Sequence, residues 1–309
     1  MLNILFSAAP RDWHKYRDAL LAAFEDAGLV ADLARDHAPE TVDYIVYAPS
    51  GATLDFTPFT RCKAVLSLWA GVETIVTNTT LTQPLARMVD PGMTAGMVEY
   101  VCGHVLRHHL GMDADITRQD AQWRPHDPPL AADRPVTVLG LGALGLACAQ
   151  ALAGLGFPVT GGSRSAKATP GLRCLHGDDG LRQALTGAQV VVLLLPDTAA
   201  TRDILNAETL ALTAPGAFVI NPGRGPLIDD GALLAALDSG QIGHATLDAF
   251  RMEPLPTDHP YWAHPRVTVT PHIASGTRAR TASAVIADNI RRGEAGEPFA
   301  HLVERERGY

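Results

Sequence analysis

The segment Val136-Thr137-Val138-Leu139-Gly140-Leu141-Gly142-Ala143-Leu144-Gly145 constrains the fold more than any other stretch of the chain. A short apolar run leads into a Gly-x-Gly-x-x-Gly turn, a helical stretch follows as far as Gly156, and a new apolar strand begins at Val159. Each glycine has a separate reason. The first permits a tight turn, the second lets a pyrophosphate approach the backbone, and the third lets helix and strand pack closely. The helix start adds N–H groups without intrahelical partners and the positive end of the helix dipole. Strand, turn, helix and next strand at this spacing predict a dinucleotide site formed by Gly140, Gly142, Ala143, Leu144 and Gly145.

The end of the following strand decides which dinucleotide fits. An NAD site places an Asp or Glu there, roughly 20 residues beyond the turn, on the ribose hydroxyls. Between Phe157 and Gly177 this chain has no carboxylate; Ser163, Arg164, Ser165 and Lys167 stand in its place. A guanidinium and a hydroxyl hold a 2′-phosphate through charge-assisted hydrogen bonds, so NADPH is expected in preference to NADH.

The same alternation of apolar strands and helices runs along the whole chain. Strands are expected at Leu2 to Ser7, Asp43 to Ala48 and Ala64 to Leu68, with a helix near Asp12 to Ala27. The spacing of Val98, Val101, Cys102, Val105 and Leu106 predicts one long helix from Thr94 to about Trp123. The proline-rich stretch Arg124 to Pro129, with Pro135 beyond it, cannot continue a helix and reads as a connector. A second series has strands from Val136, at Val159, Val190 to Leu195, Ala217 to Ile220, His244 to Leu247 and Val267 to Thr270, then a helix from Thr277 to Arg292. The expectation is an α/β protein of two doubly wound parallel-sheet domains. One comprises residues 1–100 and 279–309 and carries the substrate loop; the other, residues 101–278, binds the dinucleotide.

At 309 residues the chain exceeds the size at which a single core usually stops growing. Its net charge of -8 offers no general attraction to nucleic acid or anionic membrane. No apolar run approaches the roughly 20 residues of a membrane span, and the short apolar start Met1 to Phe6 lacks a basic n-region, so a cytoplasmic protein is expected. Cys62, Cys102, Cys148 and Cys174 are scattered and predict neither a zinc site nor disulfides, and no metal is expected.

Three strand ends carry polar residues inside apolar surroundings: Ile220-Asn221-Pro222-Gly223-Arg224-Gly225, Leu247-Asp248-Ala249-Phe250-Arg251-Met252-Glu253-Pro254-Leu255 and Thr270-Pro271-His272-Ile273-Ala274-Ser275. Open α/β sheets bind ligands at the carboxyl ends of their strands. Reduction of a 2-keto acid needs a proton for the developing alkoxide, a cation for the carboxylate and a hydride donor beside them. His272 and Arg224 supply the first two. A carboxylate at Glu253 would fix the imidazole tautomer and favour the imidazolium.

In these segments the chain resembles the D-2-hydroxyacid dehydrogenase family, most closely its short glyoxylate/hydroxypyruvate reductase A branch. The resemblance is carried by Trp69-Ala70-Gly71-Val72-Glu73, Gly92-Met93, Glu99-Tyr100, the glycine turn, Leu195-Pro196, Arg224-Gly225, Asp248-x-Phe250-x-x-Glu253-Pro254 and Pro271-His272. It implies a flavodoxin-like substrate domain made from both termini and a Rossmann-like cofactor domain between them. It also implies that Arg224, Glu253 and His272 are catalytic, that backbone N–H groups of Ala70 and Gly71 hold the substrate carboxylate, and that Trp69 walls the pocket. Leu195 and Pro196 would border the cofactor, and Asp248 would meet the nicotinamide carboxamide. The family's usual loop Asp is Glu73 here, and Pro91-Gly92 replaces a Thr-Gly. Glyoxylate and hydroxypyruvate become the leading substrates, with a D product where it is chiral, and a homodimer is expected through the long helix. Another family member of different substrate range, or a dinucleotide-sensing binding protein, are the competing readings.

Arg164→Asp should invert the cofactor preference. Losing a charged hydrogen bond to the 2′-phosphate costs about 1.5–3 kcal/mol, so the ratio of kcat/KM for NADPH over NADH should fall roughly ten- to a hundredfold. Equal use of both cofactors by the unmutated enzyme would overturn the reading of this loop.

Overall fold

In a computed structural model of the protein, which describes residues 1–307, each apolar run of the sequence becomes a parallel strand. The chain begins with β1 (Leu2–Ser7), α1 (Pro10–Asp26), β2 (Ala31–Ala34), β3 (Tyr44–Tyr47), β4 (Ala64–Ser67), α2 (Glu73–Val76) and β5 (Leu85–Ala86). Then follow α3 (Pro91–Leu110) and α4 (Met112–Thr117), and a second series: β6 (Val136–Leu139), α5 (Ala143–Gly154), β7 (Val159–Ser163), β8 (Arg173–His176), α6 (Gly177–Leu185) and β9 (Val190–Leu193). It continues through α7 (Ala207–Leu210), β10 (Ala217–Asn221), α8 (Asp230–Ser239), β11 (Ile242–Leu247) and β12 (Val267–Val269), and the last long helix is α9 (Ala279–Glu294).

Two compact units result, one of residues 1–93 with 276–309 and one of residues 94–275. The first holds a five-stranded sheet in the order β2-β1-β3-β4-β5, paired in parallel throughout. Tyr16, Leu20 and Phe24 recur at a four-residue spacing, so α1 buries one face, and α9 packs alongside it with Ala282, Ile286 and Ile290 buried. The end of the chain stays with this unit, where Val303 N–H donates to Leu85 O at 2.8 Å.

The second unit is a seven-stranded parallel sheet, β12-β11-β10-β9-β6-β7-β8. Its central strands β6 and β9 are buried along their whole length because helices cover both faces, which is why they read as unbroken apolar runs. Fully burying a Val or Leu side chain contributes about 1.5–3 kcal/mol, so these strands anchor the sheet that carries the site. The strands without a sequence signal, β2, β5 and β8, lie at sheet edges and are short.

The single helix expected from Thr94 to Trp123 is not formed. Helix α3 stops at Leu110 because Gly111 takes the left-handed conformation, at φ 70°, and residues 118–123 beyond α4 are not helical. Its start is fixed by Asp90, whose Oδ1 accepts from the N–H groups of Gly92 (2.7 Å) and Met93 (3.0 Å). Among the described residues no helix is long and apolar enough to cross a membrane, and the four cysteines are unpaired thiols.

The second half of α3 lies over β10, β11 and β12 through a polar layer. His108 Nε2 is 2.9 Å from Thr246 Oγ1 and its ring stacks on Phe218, while His244 Nε2 is 2.9 Å from Thr268 Oγ1, which also accepts from Arg107 at 3.0 Å. Burial, then the neighbouring His244 and Arg107, push His108 down to about 3. Burial, then Arg107, push His244 down to about 4. An unfolded imidazole titrates near 6.5, so below that pH the unfolded chain binds protons that the native state refuses. Stability should therefore be intact above about pH 6.5 and decline toward pH 4, with a slope of up to about 1.4 kcal/mol per pH unit for each of the two histidines. Urea unfolding between pH 7.5 and 5 should show this decline, and a shallower one in His108→Gln/His244→Gln; parallel slopes would exclude the pair as its source.

Candidate functional site

Parallel strands end on the same side, and every sequence-predicted residue of the second unit sits at or just beyond a strand's carboxyl end. Along the sheet these are His272 after β12, Asp248 and Glu253 after β11, Arg224 after β10, Leu195 and Pro196 after β9, the glycine turn after β6, and Ser163 to Lys167 after β7.

The glycine turn has the geometry a dinucleotide requires. Gly140 is at φ 101°, and a Cβ on Gly145 would lie 1.7 Å from Gly140 O, so the helix start presses directly on the turn. Around Gly142 the space is open: a Cβ there would meet nothing within 4 Å. Gly142 is the N-cap of α5 and supplies no capping side chain, and no acidic residue occupies the first turn, which opens with Ala143 and Leu144. An anion is the natural partner of such a terminus. The basic loop after β7 leans on this turn, because Lys167 Nζ donates to Leu141 O. Ser163 Oγ donates to Ser165 O at 2.8 Å, and Arg164, Ser165 and Lys167 are exposed.

At the other side of the sheet, polar side chains brace Arg224, Glu253 and His272. Asn221, 1% exposed, accepts from Gly223 N–H at 3.1 Å and donates to Arg224 O at 2.9 Å, holding the turn that presents Arg224. The Arg224 guanidinium donates to Gly223 O at 2.8 Å. A Cβ on Gly225 would sit 1.9 Å from the carbonyl carbon of Phe250, so this turn packs backbone to backbone against the segment that carries Glu253. Glu253 Oε1 accepts from Phe250 N–H at 2.9 Å and Oε2 lies 2.7 Å from His272 Nδ1. A carboxylate can only accept, so Nδ1 carries the proton and Nε2 is the nitrogen left for chemistry. The His272 side chain is 52% exposed, open to a ligand.

His272 stands at φ 53°, the left-handed region that side chains with a Cβ rarely occupy. Asp248 holds it there. His272 N–H donates to Asp248 O at 3.0 Å, Ile273 N–H to Oδ1 at 2.9 Å, Ala274 N–H to Oδ2 at 2.9 Å, and Thr270 Oγ1 to Oδ1 at 2.6 Å. Asp248 is fully buried. Its carboxylate is engaged with the His272 loop, a job that sequence reasoning did not assign it. Asn221 and Thr270 were likewise unassigned; their signal was a polar residue at the end of an otherwise apolar strand.

In the first unit, Trp69, Ala70 and Gly71 follow β4. Trp69 is 47% exposed and so is not a core aromatic. Its carbonyl is tied by Ser67 Oγ and Met88 N–H, each at 3.0 Å, which fixes the loop. Among the described residues the N–H groups of Ala70 and Gly71 meet no acceptor of the protein.

Comparison with known proteins follows the same lines. Residues 102–274 match the family model described as D-isomer specific 2-hydroxyacid dehydrogenase, NAD binding domain. The chain is 42% identical over 257 residues to glyoxylate/hydroxypyruvate reductase A of Serratia proteamaculans, covering 81% of this chain and 82% of that one. Among solved structures, a D-isomer specific 2-hydroxyacid dehydrogenase from Xanthobacter autotrophicus Py2 in complex with NADPH and MES is 41% identical with a TM-score of 0.92, covering 99% of both chains. An NADPH-dependent glyoxylate/hydroxypyruvate reductase from Sinorhizobium meliloti in complex with NADP and sulfate is 33% identical with a TM-score of 0.87, covering 100% of this chain and 99% of the other.

The two glycines of the turn should separate fold from ligand. Gly142→Ala fills open space at an ordinary φ of -72°, so it should leave the melting temperature unchanged while weakening NADPH binding at least tenfold. Gly145→Ala, driven into Gly140 O, should lower both. Calorimetric titration beside thermal melts checks this, and full NADPH affinity in Gly142→Ala would mean that no dinucleotide approaches there.

Proposed function

This chain belongs to the D-isomer specific 2-hydroxyacid dehydrogenase family, and from that premise we propose that it uses NADPH to reduce small 2-keto acids, glyoxylate and hydroxypyruvate first among them. It is an NAD(P)-dependent oxidoreductase. The observation that carries the proposal is the His272–Glu253 pair at 2.7 Å, set beside the Arg224 turn on the strand ends that also carry the glycine turn.

The residues present fit the cofactor: the open space at Gly142 and the uncapped start of α5 suit a pyrophosphate, and Ser163, Arg164 and Lys167 suit a 2′-phosphate. When bound, NADPH supplies the hydride. Arg224 pairs with the substrate carboxylate and polarises the adjacent carbonyl. His272 delivers a proton from Nε2 to the carbonyl oxygen as it becomes an alkoxide. Glu253 holds the ring by Nδ1, which leaves Nε2 for the carbonyl oxygen. A cation for the carboxylate and an acid for the neighbouring oxygen suit a 2-keto acid better than an isolated ketone. Relatives named glyoxylate/hydroxypyruvate reductase A, at 40–42% identity, support the small substrates. The homodimer belongs to the same proposal, supported by the exposed apolar side chains Ile116 (69%) and Trp123 (95%) beyond α3.

Steady-state kinetics on glyoxylate, hydroxypyruvate, pyruvate and phenylpyruvate, with NADPH and NADH, test the assignment. The two small acids with NADPH should give the highest kcat/KM, and His272→Ala should lower kcat by about 10²–10⁴ with NADPH binding intact. A markedly higher kcat/KM for phenylpyruvate would sink the substrate assignment.

A further inference from the structure

The pair Glu99-Tyr100 stands out in the sequence, yet the mechanism above gives it no part. Tyr100 projects from α3, and its hydroxyl lies 2.7 Å from Thr270 Oγ1. Thr270 Oγ1 in turn donates to Asp248 Oδ1 at 2.6 Å. A threonine hydroxyl has one proton, and the carboxylate takes it, so the proton between Tyr100 and Thr270 comes from Tyr100. The hydrogen bonds therefore run one way: Tyr100 to Thr270, Thr270 to Asp248, with Asp248 gripping Ile273 N–H, Ala274 N–H and, through its carbonyl, His272 N–H.

We infer that Tyr100 is a positioning residue, the outer end of a strut that holds the His272 loop in its left-handed conformation from the neighbouring helix. The phenol is well suited to the part. Burial pushes its pKa up to about 12, so it remains a donor across the working pH range. The ring is held beside His104, centroids 4.4 Å apart, so the hydroxyl is aimed by packing. Hydrogen bonds in series polarise one another, and removal of the first donor weakens the grip of the last acceptor. Without that grip, the strain at φ 53° favours relaxation of His272 away from Glu253.

The inference rests on the reductase reading for its kinetic consequence, and its test separates the two. In the full-length protein, Tyr100→Phe should speed amide hydrogen exchange at Ile273 and Ala274. In 2-keto acid reduction it should lower kcat about tenfold while KM for NADPH stays within about twofold, because the cofactor is held at the other side of the sheet. Thr270→Ser, which keeps the hydroxyl, should retain near-normal exchange and kcat, and Thr270→Val should reproduce Tyr100→Phe. Unchanged exchange in Tyr100→Phe overturns the strut whatever the activity, and faster exchange with unchanged kcat overturns its catalytic relevance. A kcat loss of equal size in Thr270→Ser would mark a merely structural role. If the unmutated protein reduces no 2-keto acid, the reductase reading fails while the exchange measurements still decide the strut.

Discussion

A carboxylate buried away from water, Asp248, is the constraint on which the rest of the site depends. Taking an ionised group out of solvent is costly unless its oxygens are satisfied, and here three donors satisfy them: one hydroxyl and two backbone N–H groups. The exchange runs in both directions. The loop solvates the carboxylate, and the carboxylate holds the loop in a backbone conformation that it would otherwise leave. His272 meets Glu253 because of this arrangement, and the pairing engages Nδ1 and leaves Nε2 uncommitted to Glu253.

The parallel sheet explains why so many functional groups share one side. All seven strands of the second unit run in one direction, so the turns after β6, β7, β9, β10, β11 and β12 open on the same edge. Its two ends differ in chemistry: exposed basic residues follow β7, and the paired acid and imidazole follow β11 and β12.

Helix α3 links this site to the polar layer beneath it. Three of its residues, Tyr100, Arg107 and His108, each hydrogen bond to a threonine on or just beyond β11 or β12. Burial keeps His108 and His244 neutral, which makes them hydrogen-bonding members of the packing, whereas the His272 side chain is 52% exposed.

The sequence by itself determined the parts that depend on local order along the chain. Strand, glycine turn and helix at residues 136–156 fixed a dinucleotide unit, the missing carboxylate before Gly177 pointed to a 2′-phosphate, and Arg224, Glu253 and His272 stood out as polar residues at apolar strand ends. The reading of one helix to Trp123 failed where a single backbone angle at Gly111 overruled a continuing apolar pattern, since periodicity reports a face and says nothing of φ. Strand β5 was silent because two residues carry no pattern, and β2 and β8 because partly exposed edge strands mix polar with apolar residues, Ala31-Asp32-Leu33-Ala34 and Arg173-Cys174-Leu175-His176. Only the tertiary structure could decide the role of Asp248, the bracing by Asn221 and the strut from Tyr100 through Thr270. Those contacts join residues up to 170 positions apart, and a hydrogen bond depends on where atoms lie in space, which spacing along the chain does not contain.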